Sequence, residues 1–120
     1  MKTYRKPKRT GKIARHVGDE SSTDYKVFLF RDLKDLDYAA GYLTAALEEG
    51  EDVFLLAVRD VVQAQLGMAA LARSTQLNRE SLYAMLSRRG NPRLSSIRSV
   101  LDRLGLDVKF TPKRPGAHAA

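Results

Sequence analysis

From Asp35 to Leu104 the apolar residues return at steps of three and four, and the rhythm breaks only at Gly50, Gly67, Thr75-Gln76-Leu77 and Gly90-Asn91-Pro92. Such steps place side chains on one face of an α-helix, so this stretch buries itself as a set of short amphipathic helices. Leu36, Ala39, Ala40, Leu43, Ala46 and Leu47 form the first stripe, between Asp35 as N-cap and Gly50 as C-cap. Glu51 and Asp52 then set negative charge at the positive end of a second helix, whose stripe is Phe54, Leu55, Val58, Val61, Val62 and Leu66, with Gly67 closing it. Residues 68–75 turn Leu71 and Ala72 inward, and residues 78–88 turn Leu82, Met85 and Leu86 inward. Residues 94–104 bury Leu94, Ile97, Val100, Leu101 and Leu104 before Gly105. Between these last two, Gly90 is expected to take a positive φ, and Pro92 cannot continue a helix. Five helices in an all-α domain are expected.

Two flanking segments carry a different pattern. Tyr-Lys-Val-Phe-Leu-Phe at 25–30 is rich in β-formers and reads as a short strand; Leu-Asp-Val-Lys-Phe at 106–110 alternates apolar and polar residues and reads as another. Residues 1–24 have only Ile13 and Val17 as sizeable aliphatics, too little to offset the entropy of ordering the backbone, so a flexible basic arm is expected there. Pro112 and Pro115 end the ordered chain, giving a domain over 25–111 and a disordered tail over 112–120.

Several classes of protein are excluded at this level. A chain of 120 residues has material for one core, and with no cysteine it has no disulfide, thiol nucleophile or thiolate metal site. The longest wholly apolar run, 53–58, has six residues against the roughly 20 that span a bilayer. The opening residues are charged with no apolar stretch behind them, unlike a secretory signal, so a cytoplasmic protein with no membrane partner is expected. His16 lies in the arm and His118 in the tail, where nothing holds catalytic geometry, so neither an enzyme nor a cofactor or metal site is expected. Glu48, Glu49, Glu51 and Asp52 crowd one helix junction, in the manner of caps and solvated helix ends.

Charge is distributed in blocks. Residues 1–16 carry +7, residues 17–72 carry −7, residues 73–98 carry +5 and residues 99–120 carry +2. Basic blocks on either side of an acidic one suit a protein that faces a polyanion with one surface and a different partner with another.

The chemistry concentrates in residues 68–90. Leu71, Ala72, Leu77, Leu82 and Leu86 have the spacing of a helix-turn-helix: Ala72 lets two helix axes approach, Leu77 plugs the turn, and Leu82 and Leu86 face inward one turn apart. Arg79, Glu80, Tyr83, Ala84 and Ser87 then point outward, with Asn78 at the cap. These positions can enter a major groove, where Arg pairs with guanine and Asn with adenine. Arg88, Arg89, Arg93 and Arg98 follow, placed to meet phosphates.

The same residues resemble a known family. The run Gly67-Met68-Ala69-Ala70-Leu71-Ala72, the segment Leu77-Asn78-Arg79-Glu80-Ser81-Leu82-Tyr83, the pair Leu86-Ser87 and the turn Gly90-Asn91-Pro92 look like the addiction-module antidote proteins, antitoxins of the HigA-like kind. Upstream, Tyr42-Leu43 and the Ala-Leu-Glu-Glu stretch at 46–49 also fit, as do Val100-Leu101 and Leu104-Gly105-Leu106 downstream, so the likeness covers about residues 28–111. It implies a five-helix domain of the lambda-repressor type, acting as a dimeric repressor of its own operon that also silences a toxin, commonly a RelE-like ribonuclease. Carried over by position, Asn78, Arg79, Glu80 and Tyr83 would face DNA bases, and Arg88, Arg89 and Arg93 phosphates. The sequence departs from the family pattern in three places: Ala69-Ala70 stand for polar residues, Gln76 for the turn glycine, and Ala84 for a lysine. These departures predict a weaker operator affinity or an altered sequence preference, with the basic arm expected to compensate by reaching into a minor groove.

The rival reading is a protein-interaction module whose degenerate motif no longer reads DNA. In either case the acidic block would suit a basic toxin, and Tyr38, Tyr42 and Phe54 are candidate anchors, though aromatic residues at helical spacing more often belong to a core. A palindromic operator calls for a homodimer, formed by the edge of 106–110 or by the face of the fifth helix.

Overall fold

The structure, a computed structural model, describes residues 23–113. Among them are six α-helices and no strand: α1 (Thr23–Leu33), α2 (Leu36–Glu49), α3 (Glu51–Gln65), α4 (Met68–Thr75), α5 (Arg79–Met85) and α6 (Leu94–Arg103). The arm expected over residues 1–24 lies outside the described residues except for Thr23 and Asp24, which belong to α1, and so does the tail from 114 onward.

Helix α3 is the axis of the fold. Val53, Leu55, Leu56, Ala57, Val58, Val61, Val62 and Ala64 are all buried along it, so its apolar surface runs well past a single stripe and is covered from several sides. α1 and α2 pack on it, α4 adjoins its C-terminal end, and α5 and α6 pack on α4. Gly50 serves at once as C-cap of α2 and N-cap of α3, while Asp35 caps α2 by accepting the Asp37 N–H at 2.9 Å, as the sequence indicates. At Gly67 the chain takes φ 89° and α4 leaves α3 at 97°.

The first expected strand is a helix. Within α1, Leu29 and Leu33 are buried and Tyr25 and Phe30 half-buried, at spacings of one and four that lay them on α3, while Val27 and Phe28 stay exposed. The β-propensity of residues 25–30 is overridden by this packing, because a strand would have turned half of those side chains away from α3. Gln65 fastens the end of α1, donating from Nε2 to the carbonyls of Leu33 at 2.8 Å and Lys34 at 3.0 Å. These are carbonyls that a helix end leaves without internal partners. This added helix makes the count six where five were expected.

The second expected strand is also absent. Residues 106–110 leave α6 as a segment with no helix or ladder, because a strand needs a neighbour and the described chain offers none. Several core assignments change as well: Leu36, Ala40 and Leu47 of the first stripe are exposed on α2. Leu94, the first residue of α6, is 74% exposed, and Leu77 is 37% exposed, so Leu77 does not plug its turn. Gly90 is needed for close approach and not for a positive φ: a Cβ there would lie 2.0 Å from the Met85 carbonyl oxygen.

Among the described residues, one charged side chain lies fully inside the core. Asp60 of α3 is 1% exposed, and the Tyr42 hydroxyl of α2 donates to its Oδ2 at 2.9 Å. Burial first, and then the Asp60 charge and this hydrogen bond, push the Tyr42 hydroxyl well above its usual pKa of 10.0. The folded protein therefore keeps the phenolic proton where the unfolded chain releases it. The stability tied to Tyr42 is complete below pH 10 and declines as pH rises above it, by about 1.4 kcal/mol per pH unit for one such group. Tyr42→Phe should lower stability at pH 7 by about 1.5–3 kcal/mol, the worth of a hydrogen bond to a charged group, and flatten the decline above pH 10. Urea unfolding midpoints from pH 7 to 11 read both effects.

Candidate nucleic-acid interface

The α4–α5 pair is built around a few buried aliphatics. Met68 and Leu71 anchor α4, Leu82 anchors α5, and Leu86 follows the helix into the core; Leu71, Leu82 and Leu86 have no exposed surface. Ala72 is half-buried beside them, which permits the close approach of helix axes read from the sequence. The end of α4 is closed by its own side chains, with Thr75 Oγ1 donating to the Leu71 carbonyl at 2.7 Å and Ser74 Oγ to the same oxygen at 3.1 Å. Arg103 of α6 donates from Nη2 to the Ser74 carbonyl at 2.8 Å, tying the last helix to this corner.

The turn itself is left-handed. Gln76 has φ 63° and ψ 23°, a region that costs a residue with a Cβ roughly 1–2 kcal/mol. Asn78 follows in extended conformation, and its Oδ1 accepts the Ser81 N–H at 2.6 Å, so α5 begins with a side-chain cap.

With Leu82 pinned inward, Arg79, Glu80, Ser81, Tyr83 and Ala84 stand exposed along α5. The site residues read from the sequence therefore share one accessible stretch, but their states differ. Asn78 has its side-chain oxygen engaged in the cap and keeps only its amide NH2 to donate. Tyr83 is 36% exposed, and the Arg59 guanidinium lies over its ring at 5.8 Å. Arg88 is paired, Nη1 to Asp52 Oδ2 at 3.0 Å, with both side chains about half exposed. Such a surface pair is typically worth about 0.2–1 kcal/mol and yields readily to a competing anion. Arg79, Arg89 and Arg93 are exposed and make no ion pair among the described residues.

Arg59 was missed by the sequence reading. It is the one basic residue of α3, half-buried among a largely apolar run, which is the signal that could have marked it. Its place over Tyr83 arises from tertiary packing alone. Of the candidate aromatic anchors, Tyr42 is core at 1% exposure, while Tyr38 and Phe54 are half-buried. Among the described residues no three His, Asp or Glu side chains gather to hold a metal ion, and no single helix is long and apolar enough to cross a membrane.

The sequence over residues 23–112 matches the family described as probable addiction module antidote protein, and the chain belongs to that family. A protein of Haemophilus influenzae (strain ATCC 51907 / DSM 11121 / KW20 / Rd), described as an uncharacterized protein, is 32% identical over 92 residues, covering 68% of this chain and 94% of that protein. No solved structure matches the chain.

The left-handed turn gives a direct test. Gln76→Gly should raise stability by about 0.5–1 kcal/mol, the relief of strain less the added freedom of the unfolded chain, and Gln76→Val should lower it. Thermal or urea unfolding of the two variants against the parent measures both.

Proposed function

We propose that this chain is the antitoxin of a toxin–antitoxin pair and a repressor of its own operon, reading DNA through α4 and α5 as a helix-turn-helix of the lambda-repressor type. The observation that carries the DNA reading is the division of α5 into a buried Leu82 and an exposed row of Arg79, Glu80 and Tyr83. Arg79 is free to pair with guanine, Glu80 to accept from cytosine, and Asn78 to donate its amide while its oxygen caps the helix. Arg89 and Arg93 serve phosphates directly; Arg88 does so by exchanging Asp52 for a phosphate oxygen. The family description supports the antitoxin role. The acidic α2–α3 junction, with Glu48 and Glu51 exposed, suits a basic toxin such as a RelE-like ribonuclease.

A second reading, an interaction module that does not read DNA specifically, draws support from particular residues. Ala69 and Ala70 bring no polar group to the start of α4, and Asp52 neutralises Arg88. Fluorescence anisotropy with a duplex from upstream of the gene, beside a scrambled one, at several salt concentrations separates the two readings. On the repressor reading the native duplex binds more tightly. Arg79→Ala then costs about 1–3 kcal/mol at one base position, and Arg89→Ala weakens all sequences and lowers the salt slope by about one. Asp52→Asn, which releases Arg88, tightens binding to both duplexes. Equal weak binding by every variant leaves the interaction module.

A further inference from the structure

We propose that the basic arm of this chain, residues 1–17, docks in cis on the acidic face of α2 and the start of α3, with Ile13 and Val17 seated in an apolar groove there. The groove is made by what the helices leave uncovered. Leu47 is 52% exposed and Leu94 74% exposed, and with half-buried Phe54 and Ile97 they line an open trough between the end of α2 and the starts of α3 and α6. Leu47 and Phe54 also line its continuation along α2, beside Leu43 and Leu106. A contiguous apolar strip with a polar rim marks a surface made for contact.

Charge identifies the occupant. Residues 35–52 hold Asp35, Asp37, Glu48, Glu49, Glu51 and Asp52 and no Lys or Arg. Glu48 and Glu51 are exposed on the rim, and Oε2 of the half-buried Glu49 accepts no hydrogen bond among the described residues. An ammonium or guanidinium group brought to this junction would supply the donor it lacks. Residues 1–16 carry seven Lys or Arg and no acid, opposite in sign to 35–52 and close in number, and the sizeable aliphatics of residues 1–24 are Ile13 and Val17. The arginines of α5 and the loop after it would repel the same segment, so the acidic face is where it is drawn.

Reach and tethering suffice. Ile13 precedes Thr23 by ten residues, a span of up to roughly 35 Å, and the arm as a whole reaches roughly 70 Å, against 43 Å for the longest dimension of the described residues. Tethering holds the arm near the face at a concentration on the order of millimolar, so a contact with a Kd of about 1 mM is already about half formed. On the proposed function the docked arm covers the junction offered to a basic toxin and is withheld from DNA. The docking itself rests on neither reading, and its test contains neither partner.

Paramagnetic broadening in the full chain provides the test. With no native cysteine to interfere, Thr10→Cys takes a single nitroxide label. At a salt concentration of about 0.1 M the amide signals of residues 47–51, 54 and 94 should weaken at least about twofold; at about 1 M, where the screening length falls from about 10 Å to about 3 Å, they should recover. Glu48→Gln together with Glu51→Gln should restore them at the lower salt. Both side chains are exposed, so the fold should be retained, and the salt comparison on the unaltered rim stands apart from that variant. When nitroxide-bearing chains without isotope are mixed with isotope-enriched chains without nitroxide, those residues should keep their intensity. Broadening confined to α1, broadening indifferent to salt or to the rim charges, or broadening of the same residues passed between chains in the mixture would overturn the proposal.

Discussion

Helix α3 cannot stand at the surface. Its buried residues extend from Val53 to Ala64 with few interruptions, so the remaining helices are arranged as its cover. Burying each Val or Leu side chain contributes roughly 1.5–3 kcal/mol, which makes this helix the main source of cohesion. The arrangement has one electrostatic cost. Asp60 sits on the same helix with 1% exposure, and a buried carboxylate is tolerable only where donors face it. Tyr42 of α2 supplies one, and Tyr25 of α1 lies near enough for the Asp60 charge to help raise its own pKa, after burial itself. The outer two helices therefore share a polar centre as well as an apolar one.

Much of this was legible in the sequence. Asp35, Gly50 and Gly67 mark their boundaries because caps and chain reversals are local requirements, and the stripes of α3 and α4 fall where their spacing places them; of the α2 stripe, Ala39, Leu43 and Ala46 are buried while Leu36, Ala40 and Leu47 stand exposed. α1 was misread because the residues at 25–30 favour a strand locally while the surface they meet is the side of a helix; propensity lost to packing. Leu94 and Leu77 failed for the converse reason. Periodicity assigns a side to a residue but does not say whether anything stands on that side. The candidate site divides similarly. Exposure of Arg79, Glu80 and Tyr83 followed from placing Leu82 inward, but the Arg88–Asp52 pair and the Arg59–Tyr83 contact join residues 36 and 24 positions apart, beyond the reach of any local rule.

The blocks of charge acquire a spatial meaning in the folded chain. Acidic residues collect at the junction of α2 and α3, and the arginines follow α5, yet the two zones touch where Asp52 meets Arg88. At that boundary an acidic helix start and a basic loop restrain one another across the surface. On the proposed function, a ligand at either zone alters the electrostatic surroundings of the other.

The loop after α5 is held without slack. Gly90 lies so close to the Met85 carbonyl that no side chain fits between them, and its N–H is bound to the Ser87 carbonyl at 2.9 Å. The backbone carrying Arg88 and Arg89 is therefore closely tied to the end of α5. Any tilt of that helix carries the arginines with it, as the jaws of a gauge move with its stem. On the proposed function, the offset between the base-facing row of α5 and the arginines that follow it is then set by this loop.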